Sequence, residues 1–172
     1  LKEHAEVDVF ISGQNSQLPF KGNAIQNKGI SLFYSKKGGL NYKKIIKKNS
    51  FVQFLRSVQN VPIQQYDLII NDFEPVTAYA AKYRNKKIIG LSHQVAVLHD
   101  KAPKPQKDFH LSKLILKKYA PIQNSFGFHF TKYDDTIFHP IIRNSIKNLN
   151  CEKEDYILVY LPSFHNDELY KV

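Results

Sequence analysis

Short apolar runs that end in polar residues recur along the chain, and they predict a series of β-strands. Residues 7–11 alternate weakly, and residues 29–34 form a second candidate strand. Residues 66–71 and 86–91 are nearly continuous apolar runs, which is typical of strands buried on both faces of a parallel sheet. Residues 125–130 are a further candidate, so the strands are spread over most of the chain.

Helical patterns separate these strands. Apolar spacing predicts a helix over about 40–58 and another over 109–119, and Pro75 suits the first turn of a helix that runs through Arg84. A strand, a helix and a strand at this spacing form a right-handed crossover, which makes the two strands parallel. The predicted fold class is therefore α/β, a Rossmann-like parallel sheet flanked by helices.

Length and composition favour one domain in a reducing compartment. The chain has 172 residues, of which 42% are hydrophobic, and no apolar run is long enough to span a bilayer. Its single cysteine, Cys151, cannot form an internal disulfide. We therefore expect a cytoplasmic domain. The lack of methionine and a strong candidate strand at residues 156–162 indicate a piece of a longer protein.

The formal charge of +10 indicates an anionic partner. The lysines concentrate in one region, at Lys36, Lys37, Lys43, Lys44, Lys47 and Lys48. Apolar residues at helical spacing follow them, as in a basic amphipathic helix on the anionic inner face of a membrane. A solvated helix that packs its apolar face on the core is an equally good interpretation. No helix-turn-helix, RNA-binding or zinc signature organises the charge, so no nucleic-acid partner is expected.

Polar residues follow three of the predicted strands. They are Ser12, Gly13 and Asn15 after the first, Asp72 and Glu74 after the run at 66–71, and Ser92, His93 and Gln94 after the run at 86–91. Ligands of parallel α/β sheets bind beyond the carboxyl ends of the strands, because loops and helix N-termini converge there. The sequence therefore predicts one site at this edge of the sheet.

Several of these residues also have plainer interpretations. Gly13 and Asn15 suit a tight turn, and Asp72 and Ser92 suit helix caps. Glu74 has no compelling structural role before a proline, although a carboxylate there complements the helix dipole.

His93 is the best catalytic candidate, because a neutral imidazole accepts a proton and a charged one pairs with phosphate. An ordinary loop histidine is the alternative interpretation. The remaining histidines have no ligand-like spacing with acidic or cysteine partners, so no metal site is predicted. The chain also lacks a Gly-x-Gly-x-x-Gly fingerprint and a Walker loop.

Five segments together resemble a known family. They are VDVFISG at 7–13, FYSKKGG at 33–39, YDLIINDFEP at 66–75, GLSHQ at 90–94 and YDD at 133–135. In this order they are similar to bacterial glycosyltransferase-like proteins of the GT-B class. The resemblance extends to relatives of the N-acetylglucosaminyltransferase that completes the lipid-linked peptidoglycan precursor, and to proteins labelled teichoic acid biosynthesis.

The resemblance implies a domain arrangement and a reaction. Such enzymes have two Rossmann-like domains, the first binding the acceptor and the second the nucleotide-sugar donor. Residues 1–155 correspond to the acceptor domain without its first strand, and residues 156–172 to the crossing toward the donor domain. The implied reaction is inverting transfer of a sugar to a hydroxyl of a cell-envelope or lipid-linked acceptor. No cofactor is implied, since the nucleotide-sugar is a co-substrate.

The resemblance also implies residue roles. Ser92, His93 and Gln94 would contact the acceptor or a phosphate, Asp72 and Glu74 would contact acceptor hydroxyls or support the base, and Ser12, Gly13 and Asn15 would form the cleft wall. The lysines from Lys36 to Lys48 would face the membrane. Without a donor domain this chain alone is not expected to catalyse transfer.

Two other classes of function remain open at this point. Fold does not fix the reaction, so a nucleotide-sugar epimerase or a hydrolase could use the same fold. A non-catalytic membrane- or anion-binding module would also fit the charge.

Overall fold

The structure is a computed structural model that describes residues 5–13, 24–36, 39–104 and 109–160. Its strands are β1 (Val9–Ser12), β2 (Ala24–Asn27), β3 (Ile70–Asn71), β4 (Ile89–Ser92), β5 (Ser125–Phe128) and β6 (Ile137–Phe138). β1 and β2 form one sheet, and the other four form a second in the order β3-β4-β5-β6. Every neighbouring pair of these strands is parallel, which confirms the predicted Rossmann-like α/β class.

The helices of the described chain are α1 (Tyr42–Lys48), α2 (Phe51–Asn60), α3 (Pro75–Tyr83), α4 (His93–Leu98), α5 (Phe109–Tyr119) and α6 (Asn144–Lys147), with a 3₁₀ turn at Ile63–Gln65. The predictions for α3 and α5 are confirmed. The single helix expected over 40–58 is wrong, because the chain forms α1 and α2 with a break between them.

Asn49 accounts for this break and for a second wrong prediction. Its side-chain amide donates to the carbonyl oxygens of Ile45 at 2.7 Å and Ser31 at 2.9 Å, and its Oδ1 accepts the Ser31 N–H at 2.7 Å. The backbone N–H and C=O of Ser31 therefore both bond to the Asn49 side chain. Consequently the strand predicted over 29–34 does not form, and the second strand is β2.

The main core lies between α2, α3 and the sheet. Its buried members are Phe54, Val58, Val61, Ile63, Ile69, Val76, Ala80 and Ala81. Arg84, directly after α3, donates from its guanidinium to the carbonyl oxygens of Val58, Gln59 and Val61 at the end of α2. These bonds satisfy carbonyl groups that a helix terminus leaves unpaired, so Arg84 joins the two helices.

Helix α4 packs closely on β5 at Gly127. A Cβ at this position would lie 2.8 Å from the backbone nitrogen of Ala96 and 2.7 Å from Cδ1 of Ile137. Only glycine fits this contact. On the opposite face of the sheet, Ile70 is 45% exposed and Phe138 is 47% exposed. This face is therefore partly exposed at the two edge strands, β3 and β6, within the described chain.

The strand expected at residues 156–162 is not observed over residues 156–160, and residues 161 and 162 lie outside the described residues. Residues 156–160 have no regular secondary structure and are exposed, and no strand of the described chain pairs with them. Their backbone groups consequently have no ladder of hydrogen bonds. Among the described residues, no helix is both long and apolar enough to cross a membrane.

The packing at Gly127 makes a direct prediction. Gly127→Ala should lower the free energy of unfolding by about 2 kcal/mol, because the new methyl group overpacks the contact with α4. The matched control is Gly39→Ala, where the nearest atom to the new Cβ is the Ser35 hydroxyl at 3.8 Å. Urea unfolding measures both variants, and equal stability of the two would contradict the close approach of α4 and β5.

Candidate functional site

The Glu74 carboxylate is the best-connected polar group at the carboxyl edge of the sheets. One oxygen accepts the Val76 N–H at 2.7 Å and the Ser12 hydroxyl at 2.5 Å. The other accepts the Thr77 N–H at 2.7 Å and the Thr77 hydroxyl at 2.6 Å. Glu74 is thus the N-cap of α3 and joins that helix to the end of β1. Because Glu74 occupies these N–H groups, they are not open to a ligand.

Asp72 was considered both as a helix cap and as a site residue, and the capping role is wrong. The N-cap of α3 is Glu74, for which the sequence indicated no compelling structural role. Asp72 is exposed, and no other described residue hydrogen-bonds to its carboxylate. The surrounding protein nevertheless removes enough water from this carboxyl group to raise its pKa. The next residue, Phe73, has φ of 53°, which is rare for a residue with a side chain.

The side chain of Asn71 stabilises the turn at Asp72 and Phe73 through hydrogen bonds. Its amide donates to the Glu74 carbonyl at 2.7 Å and the Thr77 hydroxyl at 2.8 Å, and its Oδ1 accepts the Glu74 N–H at 2.9 Å. The side chain is fully buried. The sequence analysis missed this residue. The available signal was an amide at the end of an apolar run, directly before the acidic pair.

A cleft of about 760 Å³ opens beside β4, between α3, α4 and α5. Ser92 and Gln94, both predicted to contact the acceptor, line it together with Asn71 and Phe73. The charged residues among those described as lining it are four lysines: Lys82, Lys86, Lys87 and Lys117. The cleft therefore attracts anionic groups and has polar partners at one end.

Ser92 has an unusual environment within this cleft. It is only 4% exposed, and its hydroxyl has no hydrogen-bond partner among the described residues. It occupies the N-cap position of α4, as predicted, but its side chain makes no cap hydrogen bond. The hydroxyl oxygen is not closed off from the cleft, since Asn27 Nδ2 is the buried side-chain atom left unpaired in the described chain. Ser92 can therefore hydrogen-bond a ligand in the cleft.

His93 lies on the other side of α4. Its Nδ1 is 2.8 Å from the Phe128 carbonyl oxygen, and it does not line the cleft. Its ring is parallel to that of His129, at 6.1 Å between centroids and 6° between planes. The sequence analysis treated Ser92, His93 and Gln94 as one set of contacts, whereas the structure separates His93 from the other two.

A second cluster of polar residues, to which the sequence analysis gave no role, lies beyond His129 and contains Tyr133, His99 and Asp134. The Tyr133 ring stacks on His129 at 5.0 Å and on His99 at 5.2 Å. His99 Nε2 is 2.8 Å from Asp134, although the two residues are 35 positions apart. Hydrogen bonds from the Thr136 hydroxyl, and then from His99, lower the pKa of Asp134 to about 2. No sequence spacing indicated this contact.

The remaining predicted residues are placed as follows. Gly13 has φ of 103°, which a tight turn after β1 requires of glycine. Lys36 lies in a turn, and the four lysines at 43, 44, 47 and 48 lie on α1. Asn15 and Lys37 lie outside the described residues. Within the described ranges, no group of three or more His, Cys, Asp or Glu side chains could hold a metal ion.

Parallel strands with polar side chains gathered at their carboxyl ends define a ligand-binding Rossmann-like domain. A family model described as "Glycosyl transferase family 1" matches residues 2–172, which is nearly the whole chain. The chain therefore belongs to this glycosyltransferase family. Searches among curated proteins and among solved structures found no significant match.

Proposed function

We propose that this chain forms the acceptor side of a glycosyltransferase cleft, and that the cleft beside β4 receives the acceptor. The main support is Ser92, which lines this cleft and whose hydroxyl makes no cap bond to α4. Gln94 lines the same cleft and supplies both a donor and an acceptor. Membership of a glycosyltransferase family supplies the reaction class.

The proposed reaction is inverting transfer of a sugar from a nucleotide-sugar to an acceptor hydroxyl. The hydroxyl oxygen forms a bond to the sugar carbon while the bond to the nucleotide diphosphate breaks, and the hydroxyl proton passes to a base. His93 and Asp72 lie at the same edge of the sheets but outside the cleft lining, and they are the proposed groups for proton acceptance from an acceptor that extends beyond the cleft. Glu74 is engaged by four donors, so its proposed role is to hold Ser12 and the start of α3 in place.

The proposed acceptor is a cell-envelope or lipid-linked glycan, of the kind that teichoic acid or peptidoglycan assembly uses. The lysines around the cleft would suit phosphate groups on such a molecule. Ser12 and Gly13, with Asn15, would form the adjoining wall. No cofactor is proposed, because the nucleotide-sugar donor enters as a co-substrate and a second domain would hold most of it.

Acceptor-dependent transfer by the full-length protein tests this proposal. Ser92→Ala and Gln94→Ala should each raise the KM for the acceptor about fivefold, since each removes one hydrogen bond worth about 1 kcal/mol. Ser145→Ala, an exposed serine on α6, is the matched control and should leave KM unchanged. Release of free sugar or of an epimer, without transfer to an acceptor, would contradict the proposal.

We also propose that α1 and the start of α2 bind the anionic inner face of a membrane. α1 buries none of its residues, and Ile46 is 68% exposed between its lysines. Phe51, Val52 and Leu55 on α2 are likewise exposed, whereas Phe54 and Val58 pack in the core. Apolar side chains next to a cluster of lysines are typical of helices that lie at a membrane interface.

Sedimentation with anionic vesicles tests this second proposal. Replacement of Lys43 and Lys47 by glutamine should weaken binding about 30-fold, at about 1 kcal/mol for each lysine near the surface. Lys147→Gln with Lys153→Gln removes the same charge elsewhere and should have little effect. Equal losses in both pairs would indicate a response to net charge alone and would contradict a membrane-binding face on α1.

A further inference from the structure

We infer that His93 and His129 form a polarised pair at the carboxyl edge of the sheet, in which His93 accepts a proton and His129 donates a hydrogen bond. The two residues directly follow β4 and β5, which are neighbouring parallel strands. This inference rests on the proposed glycosyltransferase function and adds His129 to the groups that contact the acceptor.

The partner of His93 determines which of its ring nitrogens carries hydrogen. Its Nδ1 lies 2.8 Å from the Phe128 carbonyl oxygen, which can only accept. Nδ1 must therefore be the donor, and in the neutral ring Nε2 carries a lone pair. No described group bonds to Nε2, and the side chain is exposed. His93 is thus held in the tautomer that a general base requires.

The partner of His129 imposes the opposite arrangement. Its Nδ1 accepts the backbone N–H of Thr131 at 3.0 Å, which requires a lone pair on Nδ1. The hydrogen of the neutral ring is therefore on Nε2, and protonation of Nδ1 would break the bond to Thr131. No described group accepts from Nε2. His129 is consequently a neutral donor beside a proton acceptor.

The surrounding aromatic side chains fix the orientation of the pair. The His129 ring lies between those of His93 and Tyr133, and Tyr133 in turn stacks on His99. The nearby charged groups each have a partner: Asp134 is bonded to His99 and Thr136, Lys101 to the Tyr133 carbonyl, and Lys132 to Asp135.

This geometry gives each ring a separate task in transfer. His93 Nε2 takes the proton of the attacking acceptor hydroxyl and becomes a cation. His129 Nε2–H donates to a neighbouring oxygen of the same acceptor and orients the attacking hydroxyl. Because His129 stays neutral, it does not oppose the positive charge that forms on His93.

Nitrogen-15 NMR of histidine-labelled protein tests the pair without reference to activity, because the shifts of the two ring nitrogens identify the tautomer. At neutral pH we expect hydrogen on Nδ1 of His93 and on Nε2 of His129. Hydrogen on Nδ1 of His129, or fast averaging between its two tautomers, would overturn the inference.

Kinetics of the full-length protein test whether the His93–His129 pair acts in sugar transfer. His129→Ala should lower kcat by about 100-fold, as loss of a positioned donor does. His129→Asn keeps a side-chain N–H and should recover part of that loss, while His139→Asn, at an exposed histidine outside the pair, should match the unsubstituted protein. Full activity of His129→Ala would overturn the inference. Absence of transfer by the unsubstituted protein would instead count against the proposed function. The NMR result would still show whether the two histidines have the inferred tautomers.

Discussion

A single carboxylate, that of Glu74, accepts four hydrogen bonds and thereby connects the parts of the structure that form the candidate site. Two bonds come from backbone N–H groups at the start of α3, one from the Thr77 hydroxyl and one from Ser12. Without the last bond, no polar contact described at this edge would tie the end of β1 to α3. The turn at Asp72 and Phe73 follows from this constraint, because Asn71 and Glu74 fix it at both ends.

The close approach of α4 to β5 determines which surface each of Ser92, His93 and Gln94 faces. Gly127 allows α4 to lie against the sheet, and successive residues at its start then face different surroundings. Ser92 and Gln94 line the cleft, whereas His93 bonds to the end of β5. A continuous sequence motif thus contributes to two surfaces, one of them the proposed acceptor cleft and the other the proposed site of proton transfer.

The parts of the fold that local pattern determines could be predicted from the sequence. The parallel sheet, α3 and α5 follow from apolar periodicity and from Pro75 at a helix start. The wrong predictions depend on contacts between distant residues. Asn49 bonds to the backbone of Ser31, 18 positions away, and so breaks one helix and removes one strand. His99 and Asp134 are brought together by the tertiary fold and not by their spacing in the sequence. The cap of α3 was assigned to the wrong acidic residue because Asp is a preferred N-cap residue and Glu is not.

A double-mutant cycle between Ser12 and Glu74 tests most directly whether the Glu74 carboxylate joins the two parts of the site. The free energy of unfolding is measured for the unsubstituted protein, Ser12→Ala, Glu74→Gln and the double variant. A hydrogen bond from a hydroxyl to a half-buried carboxylate predicts a coupling energy of about 1–2 kcal/mol. Additivity of the two single substitutions within about 0.3 kcal/mol would contradict the account.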